Sequence, residues 1–416
     1  MKEEKTNILI ISQSACAQAL ARKLSQYEEC GKIFVAPASE ITSDLYESVD
    51  IRADDLTALL KFVLENDIKL TIPISETALK SDIASFFHAN GQNIFAPTAL
   101  ACEHVINKIK GKHFLYKIHA QTAKFGVFDK LQSAQDWLEK SNFPITIKCS
   151  ENIKSVQDKL VCPTATFANK FLDELFSKGE NAVLLEEYTF GHNFTIYFVT
   201  DGYSALPITS VGNYKFEQDG DGGIYTNGMG CYTPDYKISE TVISRVSNVV
   251  KNMLEYLDRK NTPYLGILGV ECTLTGEDKF YVNEFKPFFE DFDATAVLNS
   301  IDENLIEIFN ACIHGLFADE YEQIKTNETS SVSAVLTSKY NNITIEGIEN
   351  IEGNIDIISV KTSLDGKFLT TKNPTFVITQ NSSNLFRAKK LLSEDISLIT
   401  FEGKHYRKDI LKDINY

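Results

Sequence analysis

The chain lacks most of what would assign it to a membrane, a nucleic acid or a disulfide-stapled scaffold. Its longest apolar runs, such as Asn7 to Ile11, are strand-sized, so no stretch approaches the roughly 20 residues of a membrane span. Charged residues stand at the N-terminus where a signal peptide needs its apolar core, and a cytoplasmic address is expected. Basic surplus is also missing. With 57 acidic against 41 basic residues the net charge is -16, which argues against nonspecific binding to nucleic acid or to an anionic membrane. The eight cysteines (16, 30, 102, 149, 162, 231, 272 and 312) form no CxxC pair and have no histidine at zinc spacing, so reduced, structural thiols are expected. No internal repeat or low-complexity tract interrupts the chain.

What is present is a globular composition. A chain of 416 residues with 43% hydrophobic content can bury large cores, and at roughly 100–200 residues per domain it holds two to four of them. Residues 1–106 alternate short strands (Asn7 to Ser12, Ile33 to Ala36, Lys69 to Ile74) with helices (Ala17 to Tyr27, and one carrying Leu56, Leu59, Leu60, Val63 and Leu64). That alternation predicts a small parallel α/β domain. Residues 107–327 read as an α+β domain with a mobile part at about 122–190. In it Thr166 caps a helix ended by Gly179, strands run from Ala182 to Tyr188 and Phe194 to Thr200, and a long helix carries Val242, Val246, Val250 and Leu257. Residues 328–416 read as a small β-rich domain.

Three constellations carry chemistry. Between Val211 and Pro234 the run GNYKFEQDGDGGIYTNGMGCYTP concentrates glycines, acids and a lysine, and reads as a mobile loop for a polar ligand, or as a plain surface connection. In GILGVECTLTGEDKFYVNEF a four-residue turn over Gly276 to Lys279 pairs Thr275 with Phe280 and sets Glu271 opposite Glu284. Opposed like charges are destabilising, so a divalent cation is expected between them, and removing one charge should relieve the strain. The alternatives are a solvated face, contact with nearby lysines, or a two-residue turn that abolishes the pairing. Lysines 108, 110 and 112, with Lys148 at the end of the strand FPITIK, are either solvated or placed for phosphates.

The order of these segments resembles the phosphoribosylamine-glycine ligase family of ATP-grasp enzymes. The glycine-rich run is similar, without a gap, to the family's DGD.GPNTGGMGAYSP signature, and FPITIKCS to its P.VIKAD. PISETAL, FAPT at 95–98 and HYRKDI at 405–410 resemble VGPEAPL, FGPT and the terminal YRRDI. The resemblance implies an ATP-dependent, ADP-forming carboxylate-amine ligase that works through an acyl phosphate. ATP would lie on Lys108, Lys148, Lys154, Glu186, Glu187, Tyr188 and Asn193, with backbone at 187 and 188 holding the adenine. Mg²⁺, or Mn²⁺, would lie on Glu271 and Glu284. Glu76, Asp219, Gly228, Met229 and Gly230 would bind substrates, a small carboxylate such as glycine and a small amine, while Lys215, Asp221 and Asp291 would serve the chemistry. A monomer or homodimer is expected.

Departures from the family gather on the acceptor side. The GxGGREHAL segment, whose glycines and arginine would hold a phosphoribosyl phosphate, is SQSACAQAL at 12–20, with Cys16 for the arginine. Lys286 and Phe288 stand for an asparagine and an arginine, and the cover loop has become KCSENIKSVQD. These changes imply that Ser12 to Gln18 lines a site for a less charged amine. A nucleotide-binding homologue without catalysis is the alternative.

Overall fold

The computed structural model describes residues 5–39, 41, 43–149, 159–371, 374–412 and 414. Its first sheet is parallel, in the order β3-β2-β1-β4, from β1 (Thr6–Ile11), β2 (Cys30–Ala36), β3 (Glu47–Ser48) and β4 (Ile68–Pro73). Strand β1 is buried on both faces, which explains its unbroken apolar run. Ile8 and Ile10 pack with helix α1 (Ala15–Leu24), whereas Leu9 and Ile11 join Leu59 and Val63 of α2 (Leu56–Glu65).

A second, four-stranded antiparallel sheet has the order β5-β8-β6-β7. Its strands are β5 (Phe125–Phe128), β6 (Ile145–Cys149), β7 (Lys159–Cys162) and β8 (Val183–Glu187). Ile145, Ile147, Leu160, Cys162, Val183 and Leu185 pack against the helix Ala165–Ser177. By strand alternation, Thr146, Lys148, Lys159 and Glu186 turn to the other face. The helix is capped by Thr164, whose hydroxyl accepts from the Phe167 amide at 3.3 Å, and not by Thr166; Gly179 leaves it at φ +92°.

The largest sheet has nine strands, in the order β13-β12-β9-β10-β11-β14-β18-β15, with β19 also on β14. It is built from β9 (His192–Gly202), β10 (Ala205–Gln218), β11 (Gly222–Thr233), β12 (Tyr264–Leu274), β13 (Phe280–Lys286), β14 (Ser330–Ser338) and β15 (Asn354–Ile357). A separate pair, β16 (Val360–Thr362) and β17 (Phe368–Thr370), precedes β18 (Pro374–Ser382) and β19 (Lys404–His405). The β11–β14 ladder joins the C-terminal strands to the central ones. The helix Glu240–Asp258 buries Val242, Val246, Val250, Met253, Leu254 and Leu257, the stripe its spacing predicts. Among the described residues, no helix is long and apolar enough to cross a membrane.

The glycine-rich stretch is not a loop. It forms β10 and β11, joined by a short 3₁₀ turn at Asp219–Asp221. Several of its glycines make room for protein. A Cβ at Gly228 would fall 2.4 Å from the Phe292 ring, and one at Gly230 would fall 2.6 Å from the Ser333 carbonyl.

Candidate active site

A cavity of about 890 Å³ opens where the polar faces of the second and third sheets meet, lined by Glu76, Lys108, Lys159, Lys215, Tyr225, Glu271, Glu284, Lys286 and Glu290 among others. Val270 and Cys272 on β12 enter the core, which turns Glu271 to the cavity. Register on the hairpin differs from expectation in two places that cancel. Leu274, not Thr275, pairs with Phe280, and a bulge at Asn283 restores Glu271 opposite Glu284.

Lysines, not distance from the neighbour, compensate the opposed carboxylates. Glu271 is 1% exposed; its Oε2 lies 3.0 Å from Lys215 Nζ and 3.9 Å from Lys286 Nζ, and its Oε1 3.7 Å from Lys159 Nζ. Glu284 Oε1 lies 2.9 Å from Lys286 Nζ, and its Oε2 accepts from Lys148 at 3.2 Å. Lys148 also meets Glu186 Oε1 at 2.7 Å, and Lys112 meets Glu186 Oε2 at 2.5 Å. Burial alone would raise the carboxyl pKa values. It is outweighed: Lys112 and Lys148 hold Glu186 at about 2, and Lys215 and Lys159 hold Glu271 at about 2. Glu284 likewise lies well below the ordinary range, against burial, through Lys159, Lys286 and Lys148. The same attraction lifts Lys286 well above its usual value despite burial.

Of the nucleotide residues expected from sequence, Lys108 lines the cavity, and Lys148, 1% exposed, lines a smaller recess of about 70 Å³ that shares Lys108, Glu284 and Lys286 with it. Lys154 lies outside the described residues. Glu186 holds Lys112 and Lys148. With Glu187, Tyr188 and Asn193 it also lines a small adjoining recess of about 30 Å³ that shares Lys159 and Tyr225 with the main cavity. The amides of Glu187 and Tyr188 already donate to the Lys124 and Pro144 carbonyls at 2.9 and 3.3 Å, so those N–H groups are not open to a base here. Asn193 Oδ1 accepts from Thr273 Oγ1 at 3.1 Å. Glu76 lines the cavity, 2.8 Å from Lys80.

Several expectations need correction. Gly228, Met229 and Gly230 are strand residues packed into the interior and do not line the cavity. Asp219 and Asp221 sit at the far tip of the hairpin. Asp219 accepts from the Lys408 amide at 2.9 Å, and Asp221 pairs with Arg407 at 2.7 Å, so HYRKDI clamps the tip. Asp291 is turned away from the cavity as well. Its Oδ1 accepts the Cys16 amide at 2.9 Å, and burial raises its pKa. Glu290 faces the cavity instead, 3.2 Å from Lys286.

The segment leading into α1 is engaged by the protein itself. Ser12 bonds Ser14, Gln13 donates to the Ala38 carbonyl at 2.7 Å, and Gln18 exchanges two hydrogen bonds with Ile357. Cys16 is 1% exposed. Their polar groups are therefore largely taken up within the protein. Sequence reasoning missed Lys159 and Glu290. Alternation in KLVC signals the first, because Leu160 and Cys162 belong to the core; Lys112, named with its neighbours, is set apart by its spacing of four from Lys108 on the helix Lys108–Lys117.

Two sheets that close on a lysine-lined cleft define an ATP-grasp enzyme. The ATP-grasp (A) domain of phosphoribosylglycinamide synthetase matches residues 107–294, and the N domain of the same synthetase matches residues 6–103. The chain belongs to this family of ATP-dependent ligases. It is 26% identical to a phosphoribosylamine–glycine ligase of Caldanaerobacter subterraneus over 97% of this chain and 99% of that one. The solved phosphoribosylamine–glycine ligase of Thermotoga maritima superposes with a TM-score of 0.80 at 19% identity, covering 97% and 100% of the two chains. The biotin carboxylase domain of Hydrogenobacter thermophilus 2-oxoglutarate carboxylase, solved with MgADP and bicarbonate, gives 0.72 at 13% identity, covering 96% and 91%.

Proposed function

We propose that the chain joins a small carboxylate, glycine or a close relative, to an amine, using ATP bound in the cleft between the two sheets. The observation that carries this reading is the convergence of Lys159, Lys215 and Lys286 on the cavity, with Lys148 lining the recess beside it and reaching the same Glu284, a charge arrangement suited to a polyphosphate. Lys108 and Lys148 would meet the phosphates, and Asn193 a ribose hydroxyl. Glu271 and Glu284 are ionised, hard-oxygen donors and fit a divalent ion. Among the described residues no group of three or more His, Cys, Asp or Glu side chains is disposed to hold a metal alone, so phosphate oxygens would complete its shell. When bound, Mg²⁺ would neutralise phosphate charge.

In the reaction, a carboxylate oxygen of the substrate attacks the γ-phosphorus as the bond to ADP breaks. The amine nitrogen then attacks the acyl carbon, phosphate leaves, and the nitrogen loses a proton. The chain's own part is position and charge. Lys215, held 3.0 Å from Glu271 and at the cavity wall, would orient the acyl group.

For the acceptor, the α1 segment supports an amine without a phosphate. The Cys16 amide, which could serve an anion, is taken by Asp291, and no arginine replaces it. ADP release with Mg·ATP, glycine and a panel of amines, freshly generated phosphoribosylamine included, tests this. Turnover with an uncharged or cationic amine is expected. Efficient turnover of micromolar phosphoribosylamine would overturn the acceptor reading, and ATP binding without ADP release for any amine would overturn the ligase reading.

A further inference from the structure

We propose that the Lys286 ammonium is a resident cation that takes over part of a divalent metal's work, so that this cleft binds a nucleotide diphosphate with little need for Mg²⁺. The inference rests on the ATP-dependent reading of the same cavity.

Three carboxylates surround one nitrogen. Lys286 Nζ lies 2.9 Å from Glu284, 3.2 Å from Glu290 and 3.9 Å from Glu271. Those are ion-pair distances, and the Glu271 and Glu284 oxygens that the ammonium engages are among those a divalent ion would need. The cation is also firmly tethered. Lys286 is 18% exposed at its side chain and ends β13, two residues after Glu284 and four before Glu290, so its partners lie within one short stretch of chain.

Charge balance completes the case. Glu186, Glu271, Glu284 and Glu290 face the ammonium groups of Lys112, Lys148, Lys159, Lys215 and Lys286. With Glu76, Lys80 and Lys108 also at the cavity, the wall carries a surplus positive charge before any ion enters, and Lys286 supplies part of it. A divalent cation entering between Glu271 and Glu284 must share their oxygens with this ammonium, and like-charge repulsion at such separations lowers its affinity. A polyphosphate has the opposite response: it meets a cation already in position and desolvated.

The test is ADP affinity by titration calorimetry, with excess Mg²⁺ and with EDTA, for the parent, Lys286→Met and Lys286→Gln. In the parent, chelation should weaken ADP binding by less than about thirtyfold. In both variants it should weaken binding by more than that, the loss of one buried charge-assisted contact. Mn²⁺ titration of the ADP complexes, read by electron paramagnetic resonance, should find more tightly bound ions in the variants than in the parent. Thermal melts establish folding, and the Gln variant, which keeps a donor, decides if Met fails to fold. A parent whose ADP affinity falls more than thirtyfold on chelation, or equal Mn²⁺ numbers in all three proteins, would overturn the proposal alone. Failure to bind ADP under either condition would overturn both this and the ATP-dependent reading.

Discussion

Two acid-rich hairpins of the same sheet have opposite fates. On β12–β13, Glu271 and Glu284 face a cavity and meet lysines delivered by β6, β7, β10 and β13 itself. On β10–β11, Asp219 and Asp221 cap a turn and meet the C-terminal segment through Arg407 and the Lys408 amide. Sequence marked both as ligand sites. The difference lies in what else faces them: a carboxylate among several lysines at a cavity wall is available to phosphate and metal chemistry, whereas one matched by an internal guanidinium is already satisfied.

The comparison breaks most sharply at the first hairpin. Because lysines already balance the pair, Glu271→Gln and Glu284→Gln should destabilise the protein instead of relieving it. Removing one partner of a buried ionic network leaves uncompensated ammonium groups, a loss of about 3–5 kcal/mol at Glu271 and less at the partly exposed Glu284. Urea unfolding measures it; a gain in stability for either variant would contradict the lysine account. Lys148→Ala should weaken ATP and ADP alike, by tenfold or more, and leave adenosine binding nearly unchanged, since a phosphate contact is lost. Equal affinity for ATP in variant and parent would remove Lys148 from the site.

At the second hairpin, Arg407→Met should lower stability by about 2 kcal/mol through its bonds to Asp221 and Asp409, yet leave ADP affinity within about twofold. A large loss of nucleotide binding would show the tip to be part of the site after all. Asp293 sharpens the contrast from a third direction. It accepts from Tyr197 at 2.8 Å, and burial, then the Glu290 charge, raises its pKa to about 8. The folded state therefore keeps a proton that the unfolded state has lost above about pH 4. Stability should fall as pH rises from about 4 to 8, by about 5 kcal/mol from this group if the full shift is expressed. Asp293→Asn should flatten that slope in unfolding curves measured from pH 5 to 8; an unchanged slope would contradict the raised pKa.

Much of this was legible in the chain. The parallel first sheet, the helix Glu240–Asp258 and the facing of Glu271 and Glu284 follow from local periodicity, which survives small errors of register such as the bulge at Asn283. What remained hidden is what depends on partners far away in sequence. Gly228 and Gly230 read as a flexible loop because nothing local says that Phe292 and Ser333 fill the space beside them. Asp291 read as catalytic because its partner, the Cys16 amide, lies 275 residues away. Lys159 was overlooked although its own strand pattern turns it to the cavity, because no opposed carboxylate stands near it in sequence.

The central claim is that the lysine-rich cleft activates a carboxylate with ATP, and hydroxylamine trapping tests it most directly because it needs no knowledge of the natural amine. With Mg·ATP, glycine and hydroxylamine, the parent should form glycine hydroxamate and ADP in equal amounts, and Lys148→Ala should lose both together. ATP binding with neither product in the parent, or hydroxamate formation that survives in Lys148→Ala at the parent's rate, would contradict the account.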